Sequence, residues 1–405
     1  MARLRRTISG RRWWFAPTVP EQNRGLTTPS AEMPPAVIDL QKAEDARDVI
    51  HRAVQALAEG QLVAFPSETV YYVAASALNE DAVARLVATT GNPQDPAPAL
   101  AVKSAEDALD YVPDLSPLGC RLARRCWPGP VTLLVSDNHP EGLTEQLPRS
   151  VRGAVTLEGL LGLCSPAHPV LHDVLRLLPG PVALAGVDRS GAHECVTAQD
   201  VVEMLDEKVQ LVLDDGRSRF GQPASVVRID GNRYEVLRTG VVSPQVLKRM
   251  ASYLVLLVCT GNTCRSPLAE VMLRRLIAKR LNCDDSQVAD RGYEVMSAGL
   301  SAMNGGRASA ESLSVAAEAG LDLREHGSQP VTRQLVRHAD LILTMTRMHR
   351  EAIVNEWPDA GPRTHVLCRD GRDVADPIGG PIEAYQQCAA QMRGELESWL
   401  QEIPF

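Results

Sequence analysis

The stretch Val255-Leu256-Leu257-Val258-Cys259-Thr260-Gly261-Asn262-Thr263-Cys264-Arg265-Ser266-Pro267 decides the reading of the last third of the chain. Four consecutive apolar residues read as a strand buried on both faces, running straight into a loop and a helix start. A thiol is a poor nucleophile until it ionises, and a helix N-terminus beside an arginine favours the thiolate. Five residues between Cys259 and Arg265 let backbone N–H groups wrap phosphoryl oxygens while the guanidinium forks onto two of them. Gly261 is expected to permit the tight turn, and Thr260, Asn262, Thr263 and Cys264 to complete the cradle. Ser266 is placed to cap the helix and to donate to the Cys259 sulfur, and Pro267 suits the first helical turn.

Downstream, strand and helix patterns alternate. Candidate strands are residues 293–297, 341–345 and 365–367; candidate helices are residues 267–280, 310–319, 347–356 and 383–400. This alternation predicts a four-stranded parallel sheet with helices on both faces, Rossmann-like in class. Ligands of such sheets bind at the carboxyl ends of strands, where Cys259 falls.

The Cys259–Pro267 segment closely resembles the signature of low-molecular-weight protein phosphatases, and the resemblance extends over residues 253–405. It implies that Cys259 attacks phosphorus, that Arg265 holds the transition state and that a late Asp-Pro supplies the general acid. The matching pair is Asp376-Pro377, so Asp376 is expected to protonate the leaving group and then activate water. Ser297-Ala298-Gly299 and His326-Gly327-Ser328 look like the family's second-strand and middle-loop sequences. Cys264 has two readings, a structural thiol or a partner that traps oxidised Cys259 as a disulfide. Thr263 stands where the family's tyrosine phosphatases carry an aliphatic residue and its protein-arginine phosphatases carry threonine. Ile378-Gly379-Gly380 is similar to the arginine type, though without its aromatic residue. The resemblance therefore favours phosphoarginine over phosphotyrosine as the substrate group. Arsenate reduction on the same fold would want relay cysteines, and Cys283, Cys368 and Cys388 do not fall at the expected places.

Upstream, a helix is expected over residues 43–59, a buried strand over residues 62–65, and alternating elements to about residue 240. Phe65-Pro66-Ser67-Glu68-Thr69-Val70-Tyr71-Tyr72, Trp127-Pro128-Gly129-Pro130-Val131-Thr132, Gly221-Gln222-Pro223-Ala224-Ser225-Val226-Val227 and Leu237-Arg238-Thr239-Gly240 resemble the threonylcarbamoyl-AMP synthase family. That implies a YrdC-type α/β twisted-sheet domain over residues 37–243. The family condenses ATP, bicarbonate and threonine, and so needs cations facing a triphosphate. Its Lys-x-Arg pair aligns with Thr90-Gly91-Asn92, and its Ser-Ala-Asn loop with Gly186-Val187-Asp188. Thr90, Asn92, Asp188 and Ser225 thus mark a degenerate synthase site, with Tyr72 expected to crowd the cavity. Lys103 and Arg152 are the remaining cations that could substitute. ATP is called for only if this domain is active. A synthase for tRNA modification and a double-stranded RNA-binding face are the alternatives that the resemblance leaves open.

Residues 1–36 read as a disordered basic tail with many prolines, and residues 244–252 as a short linker helix between modules that pack together. The chain of 405 residues carries a net charge of −8, which argues against coating nucleic acid through its whole surface. Nine cysteines without a paired framework read as reduced thiols of a cytoplasmic protein. No apolar run approaches the roughly 18 residues of a membrane span. His168 and His172 read as ordinary first-turn residues, Asp214-Asp215-Gly216 as a turn, and no Cys/His cluster has zinc spacing. The expected partner is a phosphorylated protein, with no metal or organic cofactor.

Overall fold

The computed structural model describes residues 34–90, 97–187 and 194–405. The expected basic tail lies, up to residue 33, outside the described residues. Among the described residues, eleven strands make one mixed sheet. They are β1 (Ala36–Asp39), β2 (Val63–Phe65), β3 (Tyr72–Ser76), β4 (Ala99–Ala101), β5 (Val131–Ser136), β6 (Thr156–Leu157), β7 (Leu160–Cys164), β8 (Val182–Gly186), β9 (Leu211–Asp214), β10 (Ser225–Asp230) and β11 (Arg233–Arg238). The order is β1-β9-β2-β3-β8-β4-β7-β5-β10-β11, with β6 paired to β7. Period-two alternation feeds two cores: Val73, Ala75 and Ala183 join one cluster, while Ala74, Val182 and Leu184 join the other.

The second sheet holds β12 (Tyr253–Cys259), β13 (Tyr293–Gly299), β14 (Leu341–Thr344) and β15 (Thr364–Val366) in the order β13-β12-β14-β15, all parallel. Strand β12 is apolar on both faces because both are covered. Val255 and Leu257 pack with Leu268, Met272 and Met392, whereas Leu254, Leu256 and Val258 pack with Val336, Ile342 and Ile353. Each such side chain contributes about 1.5–3 kcal/mol on full burial. The strand's direction is therefore fixed from two sides, and with it the position of Cys259.

The helix Pro244–Ala251 is capped by Ser243 and buries Leu247 in the first domain's core, and Ser252 alone separates it from β12. Across this junction Asp340, just before β14, gathers three arginines of the helix Pro117–Cys126. Arg124 Nη2 donates to Oδ1 at 2.7 Å and Arg125 Nη2 to Oδ2 at 2.7 Å; Arg121 Nε lies 3.0 Å from Oδ1 without hydrogen-bond alignment. Leu254 N also donates to Oδ2, and Arg125 Nη1 donates to the carbonyls of Met250 and Ser252 at 2.7 and 2.6 Å. Burial pushes Arg125 down to about 10, while Asp340 holds it up. All of this sits at the N-terminal ends of β12 and β14, so Cys259 lies at the far end of its strand, about 20 Å away at the usual rise.

Candidate active site

Cys259 ends β12 and Arg265 begins the helix Arg265–Leu281, so the loop between them lies at a helix N-terminus over the carboxyl edge of the sheet. The left-handed residue of this loop is Asn262, with φ of 55°, and not Gly261, to which the sequence reading assigned the turn. Asparagine tolerates this conformation when its short amide is bonded locally, and here it is bonded on every side. Its Nδ2 donates to Ser266 Oγ at 3.0 Å and to Ser297 Oγ at 2.8 Å, and its Oδ1 accepts from Gln329 N at 2.9 Å. Ser297 in turn donates to Glu270 at 2.6 Å. Gly299, at the end of the neighbouring strand, is the residue for which no side chain fits. A Cβ there would stand 2.5 Å from the Thr260 carbonyl oxygen and 2.8 Å from Asn262 N.

The carbonyl oxygens of the loop are taken from outside. Those of Cys259, Thr260 and Thr263 accept from Leu300 N, Ser301 N and Ser309 N; that of Cys264 accepts from Ser312 Oγ, and that of Asn262 bonds the His326 ring at 2.8 Å. Carbonyls turned outward leave the opposite edges of the peptide planes for an anion at the centre. The buried Cys259 Sγ already faces two donors, Asn262 N at 3.2 Å and Ser266 Oγ at 2.9 Å. Ser266 Oγ accepts from Asn262, and its own proton lies between the sulfur at 2.9 Å and the more distant Ala298 carbonyl at 3.4 Å.

Arg265 is buried and spreads its guanidinium under the loop Asp373–Gly380. Its Nη1 donates to the Val374 carbonyl at 3.2 Å, and its Nη2 to Asp376 Oδ2 at 2.5 Å and to Thr260 Oγ1 at 3.3 Å. Asp373 accepts from Arg347 N at 2.8 Å, which ties this loop to the helix Arg347–Glu356. Thr260 Oγ1 also bonds His349 Nε2 at 2.9 Å, and His349 Nδ1 bonds Thr346 Oγ1 at 2.9 Å. Burial, reinforced by Arg265, pushes His349 down to about 4, so the ring is neutral near pH 7. The sequence reading missed His349, Gln329 and Glu270, which bear on the loop only through space.

Three exposed apolar residues lie close in sequence to groups that bond the loop or Arg265. Met303, Met348 and Ile378 are 84, 77 and 69% exposed, each within three residues of a group bonded to the loop. Thr263 is half-buried, with its Oγ1 3.6 Å from Cys264 Sγ. Cys264 Sγ lies 3.7 Å from the hydroxyl of the buried Tyr385, and all nine cysteines are free thiols.

The first domain keeps a cavity of about 620 Å³, lined in part by Val70, Tyr72, Thr90, Thr132, Glu194 and Arg238. Tyr72 stands in the wall without closing it, its hydroxyl 3.3 Å from Thr69 Oγ1. Thr90 Oγ1 donates to the Leu86 carbonyl, and Ser225 Oγ to that of Val242 while accepting from Gly240 N and Val242 N. Asn92 and Asp188 lie outside the described residues. Among the described lining residues only Glu194 and Arg238 carry charge. Arg152 is held by Asp137 and Glu145, and neither it nor Lys103 reaches the lining. His168 precedes the helix Pro169–Leu177 and bonds Asp215, while Tyr71 ties down the Asp214–Gly216 turn. No metal-binding group of three or more ligands, and no helix long and apolar enough to cross a membrane, occurs among the described residues.

Two family models match the chain. Residues 254–404 match the low molecular weight phosphotyrosine protein phosphatase model, and residues 55–240 match the Sua5/YciO/YrdC model, described as telomere recombination. A protein-arginine-phosphatase of Geobacillus stearothermophilus is 36% identical over 156 residues, 37% of this chain and 93% of that protein. A low molecular weight protein-tyrosine-phosphatase of Staphylococcus haemolyticus is 39% identical over 138 residues, 33% of this chain and 88% of that protein. The threonylcarbamoyl-AMP synthase of Pyrococcus abyssi is 31% identical over 182 residues, 45% of this chain. The match spans only 51% of that synthase's length.

Proposed function

Because the chain belongs to the low molecular weight phosphotyrosine protein phosphatase family over residues 254–404, fused to a Sua5/YciO/YrdC domain, we propose that it hydrolyses phosphoarginine in proteins. The observation that carries this reading is the loop itself, with Cys259 Sγ facing Ser266 Oγ and Asn262 N while Arg265 lies against Asp376. In the first step the Cys259 thiolate attacks phosphorus and forms the S–P bond. The P–N bond to the guanidine breaks, and Asp376 gives its proton to that nitrogen. In the second, water attacks phosphorus and yields a proton to Asp376, the S–P bond breaks, and its electron pair returns to sulfur. The phosphoryl group takes over the Arg265 Nη2 donor that bonds Asp376, which releases the carboxyl group for proton transfer.

Thr263 supports phosphoarginine, since a hydroxyl at the wall can hold a polar guanidinium that an aliphatic side chain would leave unbonded. Turnover of matched phosphoarginine and phosphotyrosine peptides tests this. Wild type should prefer phosphoarginine, and Thr263→Ile should reverse the order. Phosphotyrosine preferred by both proteins would make Thr263 an ordinary wall residue. For the first domain we infer a non-catalytic role, supported by a cavity whose described lining bears one cation and one anion where a triphosphate would need several cations. Pyrophosphate release from ATP, threonine and bicarbonate would contradict that reading.

A further inference from the structure

Beyond the Cys259 loop, the phosphatase domain carries a second cavity, of about 430 Å³, beside its edge strand β15. Arg347, Arg350 and Arg369 line it together with His365 and Trp399, and Glu351 supplies the one carboxylate of the lining. Arg369 lies on the Trp399 ring at 3.6 Å and pairs with Glu402 at 2.6 Å, and Arg347 has Asp373 at 3.7 Å. Arg350 Nε donates to the Thr364 carbonyl at 2.9 Å, and no carboxylate pairs with this arginine among the described residues. Stacking holds the Arg369 guanidinium and a backbone bond holds that of Arg350, so binding an anion at Arg350 costs little side-chain entropy. Glu402 and Asp373 offset Arg369 and Arg347, which leaves Arg350 as the arginine of this lining that can meet an incoming anion.

The cavity and the Cys259 loop are linked through the helix Arg347–Glu356, which supplies Arg347 and Arg350 to one and His349 to the other. Arg347 N holds Asp373, which precedes Asp376 by three residues, a span of at most about 11 Å. Met348, 77% exposed, lies between Arg347 and the loop-bonded His349. An extended chain leaving the Cys259 loop over Met348 reaches the arginines after about four to six residues at the usual rise.

We propose that this cavity binds acidic side chains of the substrate protein, four to six residues from the phosphorylated residue. The inference rests on the phosphatase reading above, and the experiment separates the two. Full-length protein is given peptides carrying either Asp-Asp or Asn-Asn at that distance, each in phosphoarginine and phosphotyrosine versions, with p-nitrophenyl phosphate alongside. The quantity read is the ratio of KM values for the neutral and acidic peptides within each variant. For wild type this ratio should be about five to ten, with kcat unchanged, as expected for roughly one desolvated charge pair. It should fall to about one in Arg350→Gln, which retains a donor for Thr364, and below one in Arg350→Glu. Equal KM values in wild type, or an acidic preference that survives in Arg350→Glu, overturns the docking site while p-nitrophenyl phosphate turnover leaves the phosphatase reading standing. If p-nitrophenyl phosphate and all the peptides are left intact, both readings fall together. An acidic preference abolished equally by millimolar free sulfate in wild type and in Arg350→Gln would place the effect at the Cys259 loop and also overturn the site.

Discussion

The cavity of the first domain and the phosphate loop of the second use the same materials, hydroxyls and backbone amides, and aim them in opposite directions. Around the 620 Å³ cavity, Thr90 and Ser225 spend their protons on the Leu86 and Val242 carbonyls. Around Cys259, the loop carbonyls are drawn away from the centre, and Ser266 and Asn262 point at the sulfur. Hydroxyls bonded to backbone carbonyls hold a fold, whereas donors turned toward one sulfur can stabilise its anion. A similar contrast separates the two Arg–Asp clusters. Asp340 is enclosed by arginines and a backbone amide, while Asp376 keeps 41% of its side chain in solvent and bonds Arg265, a partner that phosphate can claim.

The contrast breaks first at the nucleophile. Cys259→Ser should lower turnover at least about 10⁴-fold without changing the melting temperature by more than a few degrees. Residual turnover near the wild-type rate would mean that the loop binds phosphate but does not react. Asp376→Asn should cost about 10²–10⁴-fold, most with poor leaving groups, and a uniform loss across leaving groups would remove it from proton transfer. At the sealed end, Asp340→Ala leaves three arginines facing one another and should destabilise the chain by about 3–5 kcal/mol, read from denaturant midpoints. A neutral result would show that the two domains do not depend on this cluster.

A smaller effect comes from two histidines. Burial and neighbouring arginines push His338, like His349, from the ordinary 6.5 down to about 4. The unfolded chain then binds more protons than the native one between those values, so stability should be fully present above about pH 6.5 and fall as pH drops toward 4. Denaturant midpoints measured across that window should flatten in His338→Gln, and an unchanged slope would assign the acid sensitivity elsewhere.

How far the sequence could be read follows from the range of the interactions. The Cys259 loop was legible because its parts are contiguous, and the central strands because burial on both faces makes them continuous apolar runs. Strand and helix bounds after Val258 fall within two residues of the reading, but the short helix Arg333–His338 escaped it, since Val336 is its one buried residue and its period is therefore weak. Asn262 displaced Gly261 as the turn residue because Ser266, Ser297 and Gln329 converge on it from different elements. Nothing local marks Asp340 either, whose arginines lie more than two hundred residues earlier.

The central claim is that phosphate passes through sulfur at Cys259. The most direct test mixes a phosphoarginine peptide with the Asp376→Asn variant, quenches in acid and maps the phosphoryl group by mass spectrometry. The account predicts a phosphoryl group on the Cys259 peptide, absent in the Cys259→Ser and Asp376→Asn double variant. Hydrolysis that continues with no label on Cys259 would contradict it.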